Sequence, residues 1–315
     1  MDMFPLLLRR PYIVPRAREK EGMKSVVVTG SSTGIGWGTA KILIKKGFRV
    51  FGSVRKQADA NRLKKEFGAN FSPLIFDVTD AQAVNKAAEQ VATALAGETL
   101  FGLVNNAGVA VPGPLLYLAV DEFRRQIETN ITGQLIVTQA FAPLLMANRD
   151  KPGLSRKGSE GVKPGRIVMI SSVGGRNASP FVGPYNTSKF GLEGFSEALR
   201  RELMIFGIDV VIVAPGAVAT PIWDKADAVD VSQYAGTPYA PALAAIKKLM
   251  IEGGRKGLAP EKLGRAIHRA LTVANPKTRY TVTPDVLQNI IVHTLPKRMV
   301  DRLIAKKLGL LPKES

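Results

Sequence analysis

From Lys24 onward, short valine- and isoleucine-rich runs alternate with longer amphipathic stretches, and this alternation restricts the fold more than any other feature. The runs Ser25–Thr29, Arg49–Val54, Ser72–Phe76, Leu100–Asn105, Gly165–Ser171 and Ile208–Ala214, with a later one at Arg279–Val282, read as strands. Several show no polar alternation, the pattern of a parallel strand covered on both faces. The stretches Gly34–Lys46, Ala81–Leu95, Val120–Met146, Tyr185–Phe206, Pro241–Glu252 and Glu261–Thr272 read as crossover helices. The expectation is an α/β chain with a doubly wound, Rossmann-type parallel sheet, one domain over residues 24–285. Residues 1–23 read as a basic tail and residues 286–315 as a basic amphipathic segment. Two further stretches stand out: residues 147–166 as an exposed basic loop, and Gly216–Tyr239 as a lid over the C-terminal strand edges.

Composition removes several chemistries. The 315 residues contain no cysteine, which excludes disulfides, thiolate metal sites and a cysteine nucleophile. The only histidines, His268 and His293, stand 25 residues apart, a poor basis for a histidine metal site or a Ser-His-Asp hydrolase. The formal charge of +18 favours an anionic partner without saying which. Residues 255–315 hold 13 Lys and Arg against 4 Asp and Glu, so half of the excess lies in the last fifth of the chain. The N-terminal 22 residues lack an apolar signal core, and no apolar stretch reads as a membrane span. No module with interleaved aromatic and basic residues points to nucleic acid.

The first strand runs into Gly30-Ser-Ser-Thr-Gly34-Ile-Gly36 and then a helical pattern. A glycine-rich turn opening a helix presents backbone N–H groups to a pyrophosphate. The spacing is GxxxGxG rather than the general dinucleotide fingerprint GxGxxG, and the GK[ST] ending of a triphosphate loop is missing, which disfavours a nucleotide triphosphate. The residues expected around the pyrophosphate are Gly30, Ser32, Thr33, Gly34, Ile35 and Gly36.

The stretch TGSSTGIG, residues 29–36, resembles the nucleotide turn of the short-chain dehydrogenase/reductase family, and further matches follow in order. They are Asn105-Asn-Ala-Gly108, Asn130, Ser172 lying 13 residues before Tyr185, Tyr185-Asn-Thr-Ser-Lys189, and Pro215-Gly216 with Thr220. The resemblance spans roughly Lys24 to Tyr280 and is nearest to the hydroxysteroid and retinol dehydrogenase branch. It implies Asn130, Ser172, Tyr185 and Lys189 as the catalytic set. Tyr185 would act as general acid and base, Ser172 would hold the substrate oxygen, Lys189 would bind the nicotinamide ribose, and Asn130 would fix a water. It also implies cofactor contacts from Asp77, Val78, Asn106, Ala107, Gly108, Pro215, Gly216, Val218 and Thr220. Tyr185 and Lys189, four residues apart on one helix face, can meet, and an ammonium beside a phenol is expected to lower its pKa.

The end of the second strand, Phe51-Gly-Ser-Val-Arg55-Lys56, carries no carboxylate to accept a ribose 2′-hydroxyl. NADP(H) is therefore the expected cofactor, with Arg55 as the 2′-phosphate partner and Ser31, Ser32 or Ser53 as further donors; NAD(H) remains an alternative. Substrate contacts are expected from Ser172, Val173, Gly174, Tyr185 and Trp223, in a largely apolar pocket suited to a steroid, retinoid or terpenoid alcohol or carbonyl. The competing readings are a 3-oxoacyl thioester reductase and a noncatalytic NADP-binding scaffold. The resemblance further implies a homodimer or homotetramer. The segment Val286–Leu310 suits peripheral contact with an anionic membrane, and the expected location is cytoplasmic or on an intracellular membrane, with an organellar address as an alternative.

Overall fold

The computed structural model describes residues 23–146 and 164–312. The expected N-terminal tail up to residue 22 and most of the basic loop, residues 147–163, lie outside the described residues. The chain alternates strand and helix: β1 (Ser25–Val28), α1 (Gly34–Lys45), β2 (Arg49–Val54), α2 (Gln57–Phe67), β3 (Phe71–Ile75), α3 (Ala81–Leu95) and β4 (Gly102–Asn105). There follow α4 (Val120–Ile127), α5 (Gly133–Leu145), β5 (Arg166–Ile170), α6 (Gly183–Glu202), β6 (Asp209–Pro215), α7 (Ile222–Asp227), α8 (Ala240–Arg255), α9 (Pro260–Thr272) and β7 (Arg279–Val282). Two helices, α10 (Val286–Thr294) and α11 (Lys297–Leu308), come last among the described residues.

All seven strands pair in parallel in the order β3-β2-β1-β4-β5-β6-β7. The order reverses between β1 and β4, which opens a crevice at their C-terminal ends where a ligand of such a sheet binds. Two hydrophobic clusters cover the sheet. One gathers α3, α5 and α6 around Phe141, Leu145 and Met169, and the other gathers α1 and α9 around Leu43, Leu263 and Ile267. The helices α1 and α9 approach closely because Gly38 and Gly264 face one another's helices; a Cβ at Gly264 would meet Gly38 O at 2.5 Å.

The helix read as one piece over Val120–Met146 is divided. A π-helical turn, Glu128–Thr132, separates α4 from α5 and carries Asn130. Such a turn inserts a residue into the ladder and rotates the side chains that follow. A third, smaller cluster joins Phe181, Tyr234, Leu243, Ile246 and Leu308, with Tyr239 and Ile304 packed on it. It docks α11 on α8 beside the lid, whose middle folds as α7 and a short 3-10 turn at Ser232–Tyr234.

Candidate active site

The glycine turn is built mainly by residues outside it. Buried Thr29 accepts the backbone N–H groups of Asn106 and Ala107 on its hydroxyl, at 2.9 and 3.0 Å. The Asn106 amide returns two bonds, to Thr29 O at 2.8 Å and Gly30 O at 3.1 Å. Gly36 completes this clasp, because a Cβ there would lie 2.2 Å from Gly30 O and 2.6 Å from Asn106 Nδ2. Gly30 and Gly34 take left-handed backbone, φ +65° and +61°, where a side chain would be strained. Gly34 also brings the turn against Thr220, 3.3 Å from the place of a Cβ. No side chain caps α1 and its first turn holds no acidic residue, so its amino end is open to an anion. Ile35 is half-buried against the α1 core, while Ser32 and Thr33 remain accessible.

The expected donors beside the turn divide. Ser31 gives its hydroxyl proton to Ser53 O at 3.0 Å, and Ser53 Oγ accepts from Gly30 N at 2.9 Å. Both are buried and hold the turn to the end of β2. Arg55, exposed, lies 3.5 Å from Asp77. Burial raises the Asp77 pKa, but bonds from Thr79 and the Arg55 charge outweigh it and hold the carboxyl below its usual value. A second cation, Arg62 on α2, donates to Ser32 O at 2.7 Å. Sequence reading missed it together with its helix, although the spacing of Ala60 and Leu63 on the buried face of ADANRLKKEF offered a helical signal. Val78 is buried against Gly133. Val218 is buried in the core of α1 and α9, and its carbonyl is taken by the Trp223 indole at 2.7 Å.

Tyr185, Ser172 and Lys189 converge at the C-terminal ends of β5 and β6. Ser172 Oγ accepts from Gly174 N at 3.0 Å, lies 3.5 Å from Pro215 O and hydrogen-bonds Tyr185. The Gly174 carbonyl in turn accepts from the Asn186 amide at 2.8 Å, which fastens the Val173–Gly175 turn to α6. Lys189 is buried, its Nζ 2.8 Å from Ile170 O and 5.7 Å from the Tyr185 ring centre. Burial pulls its pKa down to about 8, and the Glu193 charge opposes the fall.

The expected lowering of the Tyr185 pKa is not found. Burial raises it above the ordinary phenol value, with the Ser172 bond acting the other way. Desolvation dominates, and Lys189 directs its ammonium at a main-chain carbonyl.

Asn130 sits in the π-helical turn. Its carboxamide accepts from Val109 N at 2.9 Å and donates to Val109 O and Ser188 Oγ, both at 3.0 Å. Those bonds fix the chain after β4. Gly108 packs on the carboxamide, with a Cβ place 3.1 Å from Asn130 Oδ1. Buried Gln126, unread in the sequence, shares this duty by donating to Val109 O and accepting from Val111 N, both at 2.7 Å. Ala107 O accepts from Gln134 at 2.6 Å. Trp223, expected at the substrate, instead braces the lid, because its ring fills the space where a Gly254 side chain would stand, 2.1 Å away. Gly216 docks on β7, its N–H bonded to Val282 O at 2.9 Å.

Phe181, just before α6, adopts φ +63° and is buried; its carbonyl accepts from Gly113 N at 2.7 Å. An aromatic residue with positive φ is strained, and here its neighbours over-determine it. Gly113 and Val182 form a bridge that lays the loop after β4 across the start of α6, and Leu115 fills the space above Gly183.

Residues 24–230 match the family described as short chain dehydrogenase. The chain is 37% identical over 294 residues to an NADPH-dependent 3-dehydrocapnine reductase of Ornithobacterium rhinotracheale, covering 93% of this chain and all of that protein. It is 34% identical over 297 residues to human retinol dehydrogenase 5, covering 89% and 87% of the two chains. A short-chain dehydrogenase from Streptomyces avermitilis has the same fold, with a TM-score of 0.70 at 24% identity over 92% of this chain and 98% of that one. The protein is thus an oxidoreductase of alcohol and carbonyl groups and belongs to the short chain dehydrogenase family.

Proposed function

We propose that the protein reduces a carbonyl on a lipophilic small molecule with NADP(H), Tyr185 giving the proton. The observation that carries this reading is the convergence of Tyr185, Ser172 and Lys189 beside an open, uncapped helix end within one crevice. The residues present fit a dinucleotide. The left-handed glycines and the uncapped amino end of α1 suit its pyrophosphate, and Arg55 with Arg62 suits a 2′-phosphate. Bound there, the nicotinamide would supply the hydride.

The chain's own residues do the rest. Ser172 holds the substrate oxygen and shares a hydrogen bond with Tyr185. Burial keeps the Tyr185 phenol protonated, the form required of a donor. Lys189, now on Ile170 O, would hold the ribose hydroxyls of a bound dinucleotide and offset the charge left on the phenol. Asn130 and Gln126 hold the chain after β4 in place at Val109. Leu115, exposed and packed over Gly183 at the start of α6, offers an apolar surface near Tyr185, which suits a lipophilic carbonyl better than a charged one. Leu116, Tyr117 and Val120, exposed on the loop and the start of α4, extend that character to the rim.

No helix among the described residues is long and apolar enough to cross a membrane. We place the protein in contact with an anionic membrane surface through α11. Its exposed Met299 and Leu303 are flanked by the exposed basic residues Arg298, Arg302 and Lys306. The exposed Leu135 and Phe190 suit pairing of two copies through α5 and α6.

The test is oxidation of NADPH, and of NADH beside it, with 3-dehydrocapnine, retinal, a ketosteroid and a 3-oxoacyl thioester, Tyr185→Phe serving as control. Turnover of a lipophilic ketone or aldehyde, reduced at least about a hundredfold in Tyr185→Phe while NADPH still binds, is expected. Sole turnover of the thioester, or a Tyr185→Phe variant as active as the wild type, would overturn the reading.

A further inference from the structure

One turn beyond Lys189 on α6 stands Glu193, a nearly buried carboxylate with no part in the chemistry above. Arg279 of β7 grips it with Nε, 3.2 and 2.9 Å from its two oxygens, and is as buried as its partner. Arg176, at the exit of the turn after Ser172, adds a third contact at 3.4 Å. The same Arg279 guanidinium donates through Nη2 to the main-chain oxygen of Ser172 at 3.4 Å and through Nη1 to Thr281 Oγ1. One cation therefore ties the carboxylate four residues past Lys189 to the residue that carries the Ser172 hydroxyl.

We propose that Glu193 and Arg279 form a positioning pair behind the catalytic face, Glu193 supporting the charged form of Lys189 and Arg279 fixing both that carboxylate and the main chain of Ser172. The proposal rests on the reading of Ser172, Tyr185 and Lys189 as the reacting groups.

Nearly buried charges held apart by sequence but joined in space are costly to desolvate, and this pair contributes little to stability that apolar residues could not supply. Its placement is what distinguishes it. Glu193 is the charged group on the same helix face as Lys189 and within one turn of it, and it opposes the loss of the Lys189 proton that burial favours. The charged groups around the pair are known on every side. Lys189 and Tyr185 lie on α6, Arg176 lies on the loop from β5, and Arg279 lies on β7. Arg176, Glu193, Glu197, Arg200 and Arg279 also line an outer cavity of about 330 Å³.

The two partners act on Lys189 with opposite sign. Removing the carboxylate charge leaves Lys189 with less support and lets it deprotonate at lower pH. Removing the guanidinium leaves Glu193 unopposed and holds the Lys189 proton to higher pH. A merely structural role gives no such antisymmetry.

The experiment uses the full chain labelled with carbon-13 at lysine Cε. The Lys189 resonance is assigned by its loss in Lys189→Met and followed with pH, without substrate or cofactor. The wild-type midpoint is expected at about 8. Glu193→Gln should move it down and Arg279→Gln should move it up, and Glu193→Asp should restore it toward the wild type. Midpoints that stay unchanged in both variants, or move in the same direction, overturn the proposal. Should either glutamine variant fail to fold, Arg279→Lys keeps the charge but loses the fork. It is expected to leave the Lys189 midpoint in place and to lower kcat severalfold with KM unchanged, whereas an unchanged kcat counts against it. Because the titration needs no turnover, its failure strikes the pair alone, while a silent substrate panel strikes the proposed function.

Discussion

Replacing Gly36 by alanine tests whether the nucleotide turn is held by close approach rather than by flexibility. The added carbon would stand 2.2 Å from Gly30 O, 2.6 Å from Asn106 Nδ2 and 2.9 Å from Gly30 C. Since ordinary carbon contacts begin near 3.4 Å, the turn and the Asn106 amide must retreat by about 1 Å. Two of the three atoms are backbone, so no side-chain rotation relieves the overlap. Overpacking of this kind costs about 1–3 kcal/mol. At about 1.4 kcal/mol per tenfold, a cost borne wholly by the nucleotide-ready turn weakens NADPH binding by about five- to a hundredfold. The assay is calorimetric titration with NADPH beside thermal denaturation. Gly253→Ala in α8 is the control, because its added carbon meets nothing within 4 Å. A Gly36→Ala protein that binds NADPH within about twofold of the wild type and melts with it would refute the clasp, because about 0.4 kcal/mol is too little for such an overlap.

Arg55→Ala and Arg62→Ala, singly and together, are expected to weaken NADPH by about tenfold per residue and leave NADH nearly unchanged. Competition titrations with the two nucleotides check this, and equal losses for both would remove the 2′-phosphate from the argument. At α11, the wild type should float with phosphatidylserine vesicles and not with phosphatidylcholine vesicles, in a salt-sensitive way, and Met299→Glu with Leu303→Glu should abolish flotation. Binding to neither vesicle, or equal binding by the double variant, counts against membrane contact.

The strands were legible because buried parallel strands must be continuous apolar runs, and β2 and β7 begin and end where the sequence places them. The residues proposed to react were legible because their pattern is local in sequence: Tyr185 and Lys189 share one helix face, and the glycine turn is a contiguous string. The supports were not. Thr29, Gln126 and Arg279, and Asn106 in this supporting role, act across 15 to 107 residues of chain, and nothing in a linear pattern marks which polar side chain will be the partner of a distant main-chain group. The π-helical turn under Asn130 was invisible for another reason. Apolar spacing through Val120–Met146 suits an uninterrupted helix, whereas the π-helical turn carries the carboxamide that meets Val109, a contact 21 residues away in the chain. The rise in the Tyr185 pKa was not legible because the sequence shows the spacing of Tyr185 and Lys189 and not their burial, which raises the one and lowers the other.

The place of β7 at the sheet edge has a consequence for how the enzyme comes into being. Ser172 lies 107 residues before Arg279, and the strand that delivers the arginine is the last to join the sheet in chain order. A nascent chain that has paired β1 through β6 already holds its glycine turn, its tyrosine and its lysine, yet it leaves Glu193 without its grip and the Ser172 main chain without its tether. Synthesis at about 5–20 residues per second puts several seconds between the emergence of β5 and that of β7. Through that interval the groups proposed to react lack the support of Arg279, so on the proposed pairing the capacity to turn over substrate should arrive as a late, abrupt event of chain growth.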